Sequence, residues 1–474
     1  MNADDKTEQL RRLKLEAIQS GGPERIAARR RRGAGTARER ILQLLDANTF
    51  VELDVFVEGA VTGHGKVNGR DVYVFSQDGE VLPDLLGQAF GAKMVKVMDL
   101  AMKNGAPVVG LYDCGPGADE AGSLGAYSEL FFRNVMASGV VPQIAGVMGP
   151  CSGAGAYSPA LADFTVMVKG SSRLFLGGAS GLGSGEEREL AFEELGGART
   201  HAERSGAAHL AADDEADCME MIRTLLSYLP GNNLEEPPRS AVFDRPDRMD
   251  EELIALGAVG IEDAYDMRDV IEHVVDGGEF FEMSPWWAEN LVTGFARLGG
   301  RAVGVVGNQP TCLEGRLDID AAAKGARFVR FCDSFNIPLL TFVDTPGFVG
   351  GKDQEHAGLI RSAAKLMYAF CEATVPKLTV VTRKAYGEGF EVMCSKHIRA
   401  DFNFAWPGAD IVATAPAGTL DRQDDGSPYD AALDGHLDDV IEPVETRPRL
   451  IAALSACASK REGRPPKKHG NIPL

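Results

Sequence analysis

Apolar positions along the chain fall into two textures. Four short runs are apolar at nearly every residue: PVVGLYD (107–113), PQIAGVM (142–148), PLLTFVD (338–344) and PKLTVVT (376–382). Such runs read as parallel strands covered on both faces. Longer stretches near 85–103, 125–138, 321–334 and 357–371 carry apolar residues three and four apart and read as amphipathic helices. Ahead of each set sits a hairpin dipeptide, Asn68-Gly69 or Gly299-Gly300. Each buried strand ends in a Gly-rich loop and a helix follows, an order that predicts layered α/β domains.

The pattern is written twice. RERILQLLDANTFVE (38–52) is matched by RDVIEHVVDGGEFFE (268–282), with Arg, Ile, Asp, Phe and Glu recurring at a shift of 230. Val61-Thr62-Gly63 matches Val292-Thr293-Gly294, Lys93 matches Lys324, and Asp113 matches Asp344, all at a shift of 231. Pro142 matches Pro376 at a shift of 234. A shift that drifts so little over so long a stretch marks an internal duplication. The Pro- and charge-rich segment 229–248 divides the copies, giving domains 1–236 and 237–474.

Composition narrows the class. The 474 residues are 44% hydrophobic and 25% charged, with a formal charge of −20 that argues against a nucleic-acid surface. The run Arg29 to Arg32 reads as a solvated helix end rather than a phosphate patch. No apolar run is long enough for a membrane span and the N-terminus is polar, so the expectation is a cytoplasmic protein. The eight cysteines are scattered without metal spacing and read as free thiols, with no metal site expected.

The chemistry points to the two loops at the equivalent positions, CSGAGAYSPALA (151–162) and YGEGFEVMCSKH (386–397). A strand, small residues and a helix start present backbone N–H groups to an anion or a polarised carbonyl. Neither loop has the Gly-Lys-Ser/Thr ending of a phosphate loop. Ser152 and Ser158 have no His close in sequence, and His201, His209 and His397 read as surface or hydrogen-bonding residues. The reading is therefore oxyanion stabilisation by backbone groups, without a covalent triad.

The stretches TARERILQLLDANTFVELD, VTGHGKVNGRDVYVFSQD, FFRNVMASGVVPQIAGVMGPCSGAGAYSPALADF, EELGGARTHAERSGAAHLA, ARFVRFCDSFNIPLLTFVDTPGF, DQEHAGLIRSAAKLMYAFCEATVPKLTVVTRKAYG and PPKKHGNIPL carry a resemblance over nearly the whole chain. It resembles the carboxyltransferase (β) subunits of biotin-dependent acyl-CoA carboxylases, propionyl-CoA carboxylase type. The resemblance implies two tandem crotonase-like domains, the first facing an acyl thioester and the second biotin. It further implies a homohexamer whose sites lie between the N half of one chain and the C half of another. The substrate implied is an acyl-CoA or acyl-carrier thioester. Carboxybiotin would come on a separate carrier subunit, with a biotin carboxylase as further partner. By alignment the oxyanion donors are Gly153 and Ala154 for the thioester, and Glu388 and Gly389 for biotin. Ser152, Gly155, Tyr157, Gly387, Phe390 and Glu391 line the two loops as substrate-binding residues.

Several loops depart from the family's pattern. Lys-Ala-Tyr-Gly-Gly-Ala-Tyr has become Lys384-Ala385-Tyr386-Gly387-Glu388-Gly389-Phe390, placing a carboxylate at the biotin-side loop with Arg383 or Lys384 as candidate partners. The segments 81–87, 114–122, 177–187 and 412–433 are also remodelled. These departures keep two alternatives open, a biotin-independent acyl-thioester decarboxylase and a catalytically degenerate subunit of a mixed carboxylase.

Overall fold

The strands and helices recur in the computed structural model, which describes residues 3–18, 21–79, 88–115, 123–176, 186–412 and 426–473. The remodelled segments 81–87, 116–122, 177–185 and 413–425 lie outside the described residues. The chain forms two units, Met1–Glu235 and Glu236–Leu474.

In the first unit the strands are β1 (Val51–Leu53), β2 (Val61–Val67), β3 (Arg70–Ser76), β4 (Val108–Tyr112), β5 (Gln143–Val147), β6 (Pro150–Ser152), β7 (Phe164–Val168), β8 (Arg173–Phe175) and β9 (Leu210–Ala212). Its main sheet runs β1-β2-β3-β4-β5-β7-β9, antiparallel as far as β3 and parallel beyond. The second unit contains β10 (Phe280–Met283), β11 (Leu291–Leu298), β12 (Arg301–Asn308), β13 (Leu339–Thr345), β14 (Lys377–Tyr386), β15 (Phe402–Ala405), β16 (Asp410–Val412) and β17 (Asp439–Val440). Its sheet runs β10-β11-β12-β13-β14-β15-β17 with the same change from antiparallel to parallel at the third strand. β4, β5 and β13 are buried along their whole length. That burial explains why they read as unbroken apolar runs.

The helices over the parallel strands span Gln88–Asn104 and Ser123–Ala137 in the first unit, Ile319–Ser334 and Leu359–Glu372 in the second. Their starts follow capping chemistry: Asp318 accepts the amide of Ala321, and Thr36 with Glu39 forms a capping box on helix Ala37–Leu44.

The duplication reaches individual contacts. The hairpin amides of Asn68 and Gly69 donate to Asp46 at 3.1 and 2.8 Å; those of Gly299 and Gly300 donate to Asp276 at 3.0 and 2.7 Å. Arg38 pairs with Glu52 at 2.5 Å and Arg268 with Glu282 at 2.7 Å. Lys93 donates to the carbonyl of Val57 at 2.9 Å. Lys324 donates to the carbonyls of Ser284 and Trp287 at 2.9 and 2.8 Å. The amide of Gln143 donates to Asp163 and that of Lys377 to Asp401, both at 2.8 Å. Repeated sequence thus encodes repeated polar ties around two separate apolar cores.

One expectation is corrected. Arg29 does not end a solvated helix: it is buried and pairs with Asp78 at 2.9 Å and Asp113 at 2.5 Å. Arg40 joins the cluster through Asp113 at 3.1 Å and Glu215 at 2.5 Å. Arg30 to Arg32 remain exposed. A buried carboxylate cluster outcompetes solvent for one guanidinium of the run, and sequence does not say which. Removing one partner from such a buried group typically costs about 3–5 kcal/mol.

Candidate active-site loops

Each candidate site is built on a short parallel ribbon. In the first unit β6 pairs with β8, from Pro150↔Arg173 to Ser152↔Phe175. In the second the end of β14 pairs with β16, from Lys384↔Asp410 to Tyr386↔Val412. The chain leaves both ribbons through a glycine in the left-handed region: Gly153 has φ 54° and ψ −124°, Gly387 has φ 50°. A side chain there would clash with its own backbone, so the turn demands glycine. Helices Ala154–Leu161 and Gly387–Val392 start at these turns.

Two residues beyond each turn a second glycine makes a close approach. A Cβ on Gly155 would lie 2.8 Å from Sγ of Cys114, and one on Gly389 would lie 2.5 Å from Cα of Gly347. Each loop is thus backed by the loop that ends the neighbouring strand. Gly153, Ala154 and Gly155 therefore correspond to Gly387, Glu388 and Gly389.

The hydrogen bonds of the first loop bear on which of its amides are open. The amide of Gly153, expected to face a ligand, instead donates to the carbonyl of Phe175 at 3.1 Å and closes the ribbon. The amide of Ala156 reaches back to the carbonyl of Gly153 at 3.2 Å. Between them lie the amides of Ala154 and Gly155, in the first helical turn, where a helix offers no internal acceptor.

Glu388 is exposed, and among the described residues its carboxylate makes no hydrogen bond or ion pair. Of its candidate cations, Arg383 is engaged elsewhere. Arg383 pairs with Asp344 at 3.0 Å, donates to the carbonyls of Gly260 and Asp263, and lies 4.8 Å over the ring of Tyr265. Lys384 is buried and gives its amide to Asp344 at 3.2 Å. Burial pushes the Asp344 carboxyl up in pKa against the pull of Arg383 and Lys384. Asp344 and its counterpart Asp113 thus brace the strand ends that carry the loops.

The remaining loop residues divide. Ser152 is half-buried in β6, and Tyr157 is exposed with its ring 5.6 Å from that of Phe131. Glu391 is half-buried, its carbonyl accepting from Ser395 at 3.0 Å. Phe390, expected at the substrate, is fully buried and points into the second unit. An apolar ring on a six-residue helix packs inward because only that face reaches the core.

Neither Ser152 nor Ser158 is paired with a base among the described residues; Ser205 does face an imidazole, its Oγ lying 2.7 Å from Nδ1 of His201. Ser158 is buried against Tyr112 at 2.7 Å and Asn134 at 2.8 Å. His209 accepts the amide of Thr165 at 3.1 Å, and His397 meets His436 at 2.8 Å. Sγ of Cys114 and Cys151 lie 2.8 Å apart, and burial pushes the Cys151 thiol up, away from thiolate chemistry. The arrangement leaves backbone amides at the start of a short helix in each unit.

Comparison with known proteins bears on the use of these amides. The carboxyl transferase domain model matches residues 28–421. The chain is 48% identical to a propionyl-CoA carboxylase carboxyltransferase subunit of Haloferax mediterranei, covering 100% of both chains. It is 47% identical to methylmalonyl-CoA decarboxylase subunit alpha of Veillonella parvula, covering 97% of each. Among solved structures, transcarboxylase 12S, a hexamer with methylmalonyl-coenzyme A and methylmalonic acid bound, aligns at TM-score 0.94 and 40% identity over 100% of both chains.

Proposed function

The chain belongs to the carboxyl transferase family, and from that premise we propose that it moves a carboxyl group between carboxybiotin and the α-carbon of an acyl-CoA. The observation that carries this reading is the repeated Gly-x-Gly turn with amides left open at the helix start. Each domain of the tandem crotonase-like pair supplies one such turn.

The second-unit loop fits biotin. Gly387 and Gly389 bring no side chain over the helix start, and the exposed carboxylate of Glu388 leaves its own amide in place. When bound, carboxybiotin on a separate subunit would supply the carboxyl group and, once that has left, the base for the α-proton. The chain's own part is electrostatic. The amides of Ala154 and Gly155 donate to the thioester oxygen, which gains charge as the α-carbon loses its proton. Those of Glu388 and Gly389 would hold the ureido oxygen of biotin. A preorganised donor of this kind is typically worth about 3–4 kcal/mol of barrier. Because amides do the work, no side chain has to form a covalent bond.

The decarboxylase and degenerate-subunit alternatives rested on the loop departures taken together; the match of the whole chain to a propionyl-CoA carboxylase subunit and to transcarboxylase 12S favours carboxyl transfer over both, and Glu388 is exposed in this chain. The test incubates the purified chain with methylmalonyl-CoA, with and without free biotin, and separates the thioester products. Formation of propionyl-CoA that depends on biotin is expected. Equal conversion without biotin, or none at all, overturns the reading. The assembly proposed is a hexamer, as in transcarboxylase 12S. Light scattering that shows a stable monomer at micromolar concentration would overturn it.

A further inference from the structure

The first-unit ribbon is small. β6 and β8 have three residues each and form a sheet of their own. Yet its register sets where the amide of Gly153 meets the carbonyl of Phe175, and so where the helix start presents the amides of Ala154 and Gly155. β6 is placed by β5, to which it is joined through Met148 and Gly149. β8 has to be held by something else.

In the second unit a side chain ties the ribbon across its own width: the Tyr386 hydroxyl donates to Asp410 at 2.6 Å. The corresponding first-unit positions carry Ser152 and Arg173. Here a tie comes from behind. Carbonyls alternate along a strand, so Phe175 faces β6 while Leu174 faces the opposite edge. On that edge Arg173 bridges Gly197, and Gly196 packs so closely on the Leu174 carbonyl that a side chain would collide with it. Nε2 of His201 lies 2.5 Å from the same carbonyl.

The hydrogen-bond network fixes the tautomer of His201. A carbonyl only accepts, so Nε2 carries the proton. Nδ1 faces the Ser205 hydroxyl at 2.7 Å. Ser205 Oγ accepts the amide of Ala207 at 3.2 Å, leaving its own proton for Nδ1. His201 and Ser205 open and close a single π-helical turn. Irregular turns of this kind often mark functional sites.

We propose that His201 is a positioning residue for the first-unit donors. Its Nε2–H grips Leu174, which holds β8 in register; Phe175 then fixes Gly153, and Gly153 aims the amides of Ala154 and Gly155. The inference rests on the carboxyltransferase reading given above.

The test compares His201→Ala, His201→Gln and His201→Asn, each checked for hexamer and thermal midpoint. The Gln side-chain amide places its donor near the Nε2 position, and that of Asn falls at the Nδ1 position. In biotin-dependent carboxyl transfer, His201→Ala and His201→Asn are expected to lower kcat about tenfold or more with KM for the acyl-CoA within about threefold. His201→Gln is expected to recover most of the turnover. Amide exchange in residues 149–155 should rise in the Ala and Asn variants and stay near wild type in Gln. Equal kcat in Gln and Asn, or exchange unchanged in all three, overturns the role of His201. Should His201→Ala fail to fold, the Gln and Asn pair decides alone. A wild type without biotin-dependent transfer overturns the function instead, and the exchange comparison then decides the positioning role.

Discussion

Replacing Gly389 by Ala tests the registration of the loops most directly. The added methyl would stand 2.5 Å from Cα of Gly347 and 3.1 Å from its N and C atoms. Carbon atoms rest at about 3.5–4.0 Å, so the two loops must part by about 1 Å. Gly347 resists this. Its amide donates to Thr345 Oγ1 at 3.1 Å, and its carbonyl takes the amide of Leu317 at 3.0 Å. The displacement therefore falls largely on Glu388 and Gly389, whose amides are the proposed donors. A misplacement of about 1 Å typically costs about a hundredfold in rate, and overpacking of this kind about 1–3 kcal/mol in stability. The assay is kcat for biotin-dependent carboxyl transfer beside the thermal midpoint and the oligomeric state. Gly125→Ala serves as control: it lies within helix Ser123–Ala137, where among the described residues the methyl meets nothing within 4 Å. It should gain about 0.5–1 kcal/mol from helix propensity and leave turnover unchanged. A folded, hexameric Gly389→Ala enzyme with wild-type kcat would refute the argument that this loop carries the donors.

Glu388→Ala should leave carboxyl transfer within a few-fold of wild type, because its carboxylate is exposed, whereas Glu388→Pro removes an amide donor and should lower kcat by about 10²–10³. The same assay decides both, and a large loss in Glu388→Ala would show the side chain at work. Glu372 bears on pH dependence. Burial alone would raise its pKa, but Lys467 at 2.7 Å and Arg330 at 2.5 Å pull it down to about 2. A carboxylate depressed in the folded state stabilises fully above its unfolded pKa of about 4.3, and that stability is lost as pH falls toward 2. Glu372→Gln should cost about 1–2 kcal/mol at pH 7 after solvent screening, the deficit closing between pH 4.5 and 2 in thermal midpoints. A deficit that is constant with pH would show that the pairing is not responsible.

Much of the architecture was legible because it is repetitive. The amphipathic stretch expected at 321–334 is helix Ile319–Ser334, and the run PLLTFVD became β13, Leu339–Thr345. Asp113 and Asp344 stood out as repeats at strand ends, and both are buried ion-pair acceptors. Polar burial was harder to see. Nothing in the run Arg29 to Arg32 distinguishes the one guanidinium that meets Asp78 and Asp113, since those acids are supplied by distant strand ends. Phe390 misled for a related reason: nearness to a loop in sequence says nothing about the side of a short helix it occupies. His201 read only as a surface or hydrogen-bonding residue, and its partner stayed hidden because a backbone carbonyl, that of Leu174, leaves no trace in sequence.

The Gly153 amide, taken up by the Phe175 carbonyl, shows how backbone chemistry constrains a sequence. An amide donor can be any residue but proline, so residue type alone does not mark the donor. What sequence does mark is the surrounding necessity: glycine where φ is positive, at 153 and 387, and glycine where two loops touch, at 155 and 389. The residue between them is under neither constraint. One half places Ala154 there and the other Glu388, and an exposed side chain at that point leaves the amide where the turn puts it. Change at the middle residue is therefore a poor guide to lost activity, whereas change at either flanking glycine would move the proposed donors themselves.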